Sequence, residues 1–92
     1  MVYYTYLLVS EKDKKWYTGC TNNLKRRIAE HNASDKYPMM FRKPFKLIYY
    51  EACSNSKDAF AREKYLKSGM GKRYLKNRLK NFMQNSSGAL PR

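Results

Sequence analysis

Ninety-two residues, 42% of them hydrophobic and 15% aromatic, provide for one small domain with a thin core and argue against a disordered chain. Twenty Lys and Arg against seven Asp and Glu give a net charge of +13, which favours polyanions: nucleic acid first, an anionic membrane surface second. No apolar run approaches the ~20 residues of a membrane span, the first residues lack a basic leader and cleavage site, and Cys20 and Cys53 with His31 are too few for a disulfide framework or a four-ligand zinc site. The expectation is a cytoplasmic protein with two free thiols.

Residues 2–9 are aromatic and β-branched without Gly or Pro, and read as a strand buried on both faces. Residues 11–14 fit a hairpin turn. Residues 15–18 return as a second strand closed by Gly19, a residue that permits a tight turn. Thr21 or Asn22 then caps a helix with Leu24 and Ile28 as its apolar stripe and Asn32 as its stop. Residues 33–44 contain two prolines and no period, and read as a basic loop carrying Lys36, Arg42 and Lys43. A third strand follows over 45–52. Ser56 caps a second helix with Asp58 in its first turn, and Gly69 ends it. A last helix starts near Lys72 with Leu75, Leu79 and Phe82 buried. The order is β-β-α-β-α-α, an α+β fold with a three-stranded antiparallel sheet flanked by helices. Residues 1–83 form one domain and residues 84–92 a flexible tail.

Charge is concentrated toward the end of the chain, where residues 57–92 carry ten Lys and Arg and two acids, a net of +8. The last helix holds Lys72, Arg73, Lys76, Arg78 and Lys80 with no acid to neutralise them at i, i+4. A solvated basic helix is the bland alternative to a phosphate-contacting face. Lys25, Arg26 and Lys43 extend the same expectation to the first helix and the loop. Contacts of this kind position a nucleic acid without reading its sequence.

Phosphodiester cleavage needs an activated water or hydroxyl, positive charge for the developing phosphorane and usually a metal. Arg27 and His31 lie four apart on one helix face, Tyr17 ends the strand before it, and Tyr6 sits on the paired strand. Seven acids with no paired-carboxylate motif disfavour a two-metal site, whereas one Mg²⁺ held by one carboxylate, waters and phosphate is compatible. Glu63 is the first candidate for that carboxylate and Glu51 the second. Each has a bland alternative: the tyrosines as core, Arg27 as one more exposed base, His31 as a helix C-terminal cation, Glu63 as the i, i+4 partner of Lys67.

Tyr4-Thr5-Tyr6, Tyr17-Thr18-Gly19, Leu24-x-x-Arg27-x-x-x-His31-Asn32 and Ala61-Arg62-Glu63-Lys64, in that order, resemble the GIY-YIG nuclease domain over roughly residues 2–80. The likeness is to its small stand-alone bacterial members. The first tripeptide departs from the family pattern (Tyr-Thr-Tyr for Gly-Ile-Tyr), as does Thr18, but neither change removes a phenol. The resemblance implies one divalent metal, Mg²⁺ or Mn²⁺, on Glu63, and Arg27 bracing the scissile phosphate. It further implies Tyr6 as general base or positioning phenol, Tyr17 hydrogen-bonding within the site, and His31 aiding proton transfer. Gly19 would let the backbone turn beneath the phosphate. The implied activity is a metal-dependent endonuclease on DNA, of a kind used in repair or recombination, with RNA and a targeting protein left open as partners. The alternative is a non-catalytic nucleic-acid-binding module on the same basic face.

Overall fold

The computed structural model describes residues 1–86, with side chains to residue 84. Three antiparallel strands, β1 (Tyr3–Ser10), β2 (Trp16–Thr21) and β3 (Phe45–Cys53), form a sheet in the order β2-β1-β3. The helices are α1 (Leu24–Ala33), α2 (Ser56–Lys67), α3 (Gly69–Arg78) and α4 (Lys80–Ser86), with a single 3-10 turn at Met39–Phe41. The expected order and sheet are present.

The unbroken apolar run of β1 follows from its central place, because both of its faces are covered. Tyr6 and Leu8 pack with Phe45 against Leu24 and Ile28 of α1. Leu7 packs on the opposite face with Leu66 of α2 and Leu75 of α3. Thr5 shares that second face, its hydroxyl donating to the Ala59 carbonyl at 3.0 Å. A bulge in β3 serves both layers: Leu8 pairs with Leu47 and Leu7 with Tyr49, which leaves Ile48 as the extra residue. Leu47 therefore joins the α1 layer, and Ile48 and Tyr49 join the α2–α3 layer.

Several boundaries differ from expectation. Asn23, rather than Thr21 or Asn22, caps α1, its side chain accepting from the Arg26 amide at 3.0 Å. Asn32 lies within α1 and latches the start of β3, donating to the Phe45 carbonyl and accepting from the Phe45 amide. Asn55, rather than Ser56, caps α2 by accepting from the amides of Lys57 and Asp58. Gly69 does not end α2. Ser68 is at once the C-cap of α2 and the N-cap of α3, and Gly69 is the first residue of α3. The glycine that this corner requires is Gly71, where a Cβ would overlap the Tyr65 carbonyl oxygen and the Leu66 Cα. The single last helix expected from Lys72 is two, broken at Leu79, and residues 84–86 are helical instead of tail. The rest of the expected tail, residues 87–92, lies outside the described residues.

Candidate active site

Tyr6 stands opposite Gly19 in the β1–β2 ladder, while Tyr17 pairs with Leu8 two residues away on the same face. Gly19 is therefore a strand residue and makes no turn, contrary to the sequence expectation; β2 continues to Thr21. Its purpose is clearance. A Cβ on Gly19 would collide with the hydroxyl and ring of Tyr6, so the phenol crosses β2 only because this position has no side chain. It reaches the outer edge of the sheet, since β2 is an edge strand.

There α1 delivers two groups from successive turns. The Nε of Arg27 donates to the Tyr6 hydroxyl at 3.4 Å, and that hydroxyl lies 3.1 Å from Nε2 of His31. The imidazole is buried between aromatic rings, its centroid 4.8 Å from Tyr17 and 5.7 Å from Phe45, both at steep angles. Burial and the neighbouring Arg27 charge hold His31 below its ordinary pKa, which removes the reading of His31 as a helix-terminal cation. The phenol oxygen accepts from Arg27, and in the neutral tautomer that carries its proton on Nδ1 the imidazole Nε2 accepts the Tyr6 proton. Burial pushes the Tyr6 phenol up, partly offset by Arg27, so it keeps its proton at neutral pH. Tyr6 is 1% exposed, whereas Tyr17 is half-buried and borders recesses on both sides.

The state of His31 sets a pH dependence. An unfolded chain protonates this histidine near pH ~6.5, and the native state resists doing so until lower pH. Stability is thus unaffected by this group above pH ~7 and falls as pH drops through ~6.5, where the unfolded state binds the extra proton. Thermal melts between pH 7.5 and 5.5 are expected to show a steeper acid loss for the native sequence than for His31→Gln. Parallel curves would contradict a neutral buried imidazole.

Glu63 comes from α2, on the other side of the sheet edge. Its side chain is 19% exposed, and Oε2 accepts an ion pair from Lys67 Nζ at 2.9 Å. Its charge is close enough to Tyr6 to disfavour a phenolate; Lys67, held in its charged form chiefly by Glu63, also lies within electrostatic reach of Tyr17 and Tyr6. Tyr6, Arg27 and His31 thus meet at one hydroxyl with Tyr17 against the imidazole, and Glu63 lies within electrostatic reach of Tyr6. Lys67, seen in the sequence only as the partner of Glu63, belongs to the cluster as well. Its signal was the four-residue spacing that puts both on one helix face.

Glu51 is elsewhere. Arg62 holds it with two bonds, Nε to Oε1 at 2.8 Å and Nη2 to Oε2 at 3.0 Å, and the Tyr49 hydroxyl donates to Oε2 at 2.8 Å. Burial would raise this carboxyl, but the Arg62 and Tyr49 bonds outweigh it and hold it low. Glu51 is therefore not the second metal candidate. Arg62 also lies over the rings of Tyr65 and Tyr74, at 5.2 and 5.0 Å. The clamp ties α2 and α3 to β3 one residue before Glu63, and so fixes where that carboxylate projects.

A cation on Glu63 would have one protein carboxylate. Among the described residues no group of three or more His, Cys, Asp or Glu converges. One Glu63 oxygen is tied to Lys67 and the other has no ion pair. An oxygen-only, one-carboxylate donor suits a hard divalent ion that keeps waters and takes phosphate oxygens as its other ligands. Cys20 and Cys53 are free, on the two outer strands with β1 between them.

Two recesses flank Tyr17. The one toward α1, 460 Å³, includes Arg27, Glu30, His31 and Lys36. The other, 590 Å³, runs between the outer edge of β2 and the α2–α3 corner and includes Lys72 and Lys76. Lys25, Arg26, Lys43 and Arg73 line neither. Arg26 faces Glu30 at 3.7 Å, and Lys43 donates to the Ser34 carbonyl at 3.0 Å.

These motifs, so arranged, are those of a phosphodiester-cleaving domain. The GIY-YIG catalytic domain model matches residues 2–80, and the chain belongs to the GIY-YIG family, whose domain is a nuclease domain. It is 46% identical to a UPF0213 protein of Clostridium perfringens over 66 residues, 70% of this chain and 69% of that one. It is 42% identical to a UPF0213 protein of Pediococcus acidilactici over 71 residues, covering 71% and 72%. The solution NMR structure of a UPF0213 protein of Bacillus halodurans matches with a TM-score of 0.50 at 33% identity, covering 82% of each chain. Among the described residues no helix is long and apolar enough to cross a membrane.

Proposed function

We propose that this protein is an endonuclease that hydrolyses phosphodiester bonds in DNA with the help of one divalent cation, Mg²⁺ or Mn²⁺, held by Glu63. What supports the reading above all is a Tyr6–Arg27–His31 hydrogen-bonded chain with the half-buried Glu63 carboxylate within electrostatic reach of its phenol, beside a recess bordered by lysines. A cation held by Glu63 would supply positive charge to a phosphate oxygen and would lower the pKa of a bound water.

The residues have separable tasks. Arg27, half-exposed, holds Tyr6 through Nε and pairs Nη1 with Glu30 Oε1 at 3.2 Å; exchanging that carboxylate for a phosphate oxygen would bring its guanidinium to the negative charge that builds on the phosphorane. Tyr6 acts from behind it: one hydroxyl fixes both the Arg27 Nε and the His31 ring. His31, neutral, accepts a proton from that side through the Tyr6 hydroxyl. Tyr17 presents its ring to the recesses, where substrate passes. Lys67 balances Glu63 and adds positive charge beside the reacting phosphate.

The test is incubation with single-stranded, duplex, branched and nicked DNA, with Mg²⁺ or Mn²⁺ or with chelator. Cleavage that requires the cation supports the proposal. Salt-sensitive binding to these forms with no turnover on any of them would replace it with a non-catalytic binding module.

A further inference from the structure

The 590 Å³ recess between β2 and the α2–α3 corner is more than a share of the basic surface. Its floor is apolar, made by Leu66, Leu75 and Trp16, the chain's one tryptophan. Around that floor stand four lysines from three segments: Lys15 just before β2, Lys67 at the end of α2, and Lys72 and Lys76 on successive turns of α3. No acidic residue lines it. Lys67 and Tyr17 border the recess and also belong to the Glu63 cluster, so the two are continuous.

We propose that this recess is the track for an unpaired nucleic-acid strand, with Trp16 as the platform on which a base stacks and Lys15, Lys72 and Lys76 on its phosphates. The proposal deepens the nuclease reading and rests on it for the Glu63 end of the track. A duplex turns its phosphates outward and stacks its bases within, so it would meet the lysine rim and leave the apolar floor uncovered. An unpaired strand carries both chemistries on one face, backbone charge for the rim and a π-surface for the indole. The volume fits as well, since recesses of about 300–1,000 Å³ take ligands of nucleotide size. Alternation along β2 explains the division of labour: Tyr17 faces the α1 layer and Trp16, one residue earlier, the α2–α3 layer.

Because the chain has one tryptophan, its fluorescence reports on this recess alone. Native protein in chelator is titrated with a 12-nucleotide oligothymidylate and, separately, with a hairpin duplex of similar charge, and a labelled-strand anisotropy measurement follows binding independently. The expected result is saturable quenching of Trp16 by the single strand, with affinity at least about tenfold tighter than for the duplex. Replacing Lys72 and Lys76 together by Ala should weaken single-strand binding and reduce the log–log salt slope by about 1.4, the share of two phosphate contacts. Equal or tighter duplex binding, or single-strand binding by anisotropy with unchanged Trp16 emission, would overturn the proposal, as would no binding to either. Failure is separable from that of the nuclease reading. Duplex cleavage without a Trp16 response overturns the track and leaves the enzyme, whereas quenching without turnover on any form does the reverse.

Discussion

Replacing Glu63 by Gln is expected to reduce metal-dependent cleavage by about 10³-fold or more while leaving the protein folded. The size follows from what the carboxylate is asked to do. Charge stabilisation at a transferring phosphate by a bound cation contributes several kcal/mol, and ~4 kcal/mol corresponds to ~10³ in rate. Glu51 is held by Arg62 and Tyr49, and Glu30, on α1, is paired with Arg26 and Arg27, so neither stands in for Glu63 on α2. The structural cost is small by contrast. Gln has the same shape, and the lost ion pair is with an exposed lysine, a kind of pair that contributes at most about 1 kcal/mol. Nucleic-acid binding in chelator should be unchanged or tighter, because the variant removes a negative charge from a basic surface. Cleavage within about tenfold of the native rate would remove Glu63 as the metal-holding residue.

Gly19→Ala is the second large effect, and it arises through Tyr6. The added Cβ would occupy the space of the phenol hydroxyl and its ring carbon. Tyr6 cannot yield cheaply, being fully buried against Leu8 and Phe45 in the α1 layer. Either the ring leaves its rotamer or β2 moves away from β1, and overpacking of this sort costs about 1–3 kcal/mol. Both responses displace the hydroxyl that orients Arg27 and His31, and a misplacement of about 1 Å at a reacting centre lowers rates by around 10²-fold. Gly69→Ala is the matched control, with nothing within 4 Å of its added Cβ. The expected pattern is a lowered melting temperature and at least about 10²-fold slower cleavage for Gly19→Ala, and neither for Gly69→Ala. A stable, fully active Gly19→Ala protein would contradict the clearance role.

The strands and the stripe of the first helix were legible in the sequence because each depends on local pattern. Residues 2–9 declare a central strand by their unbroken apolar run, and Leu24 with Ile28 declare the buried side of α1. The order Tyr6, Tyr17, Arg27, His31, Glu63 is a joint signal carried by a family resemblance; spacing alone left each residue its bland role. What was not legible depends on partners distant in the chain. Gly19 reads as a turn because glycine usually marks one, and only the residue across the ladder, Tyr6, shows that the missing side chain is clearance for a phenol. Glu51 looked available until Arg62, eleven residues on, was seen to hold it. The α2–α3 corner turns on Ser68 and the close approach at Gly71, so the more conspicuous Gly69 misled. Trp16 carried no signal beyond its adjacency to Tyr17, since its recess is built by helices that follow fifty residues later.

One hydroxyl, that of Tyr6, receives Arg27 and reaches His31 in the same place. The most direct measurement is therefore the cleavage rate of Tyr6→Phe across pH at saturating Mg²⁺ or Mn²⁺, beside its binding of the same DNA in chelator. Phe keeps the ring that packs on Leu8 and Phe45 and removes only the oxygen. Tyr6→Phe is expected to bind within about twofold of the native protein, to cleave roughly 10²-fold or more slowly, and to show an altered pH profile because His31 loses its partner. Cleavage at the native rate with the native pH profile would contradict it.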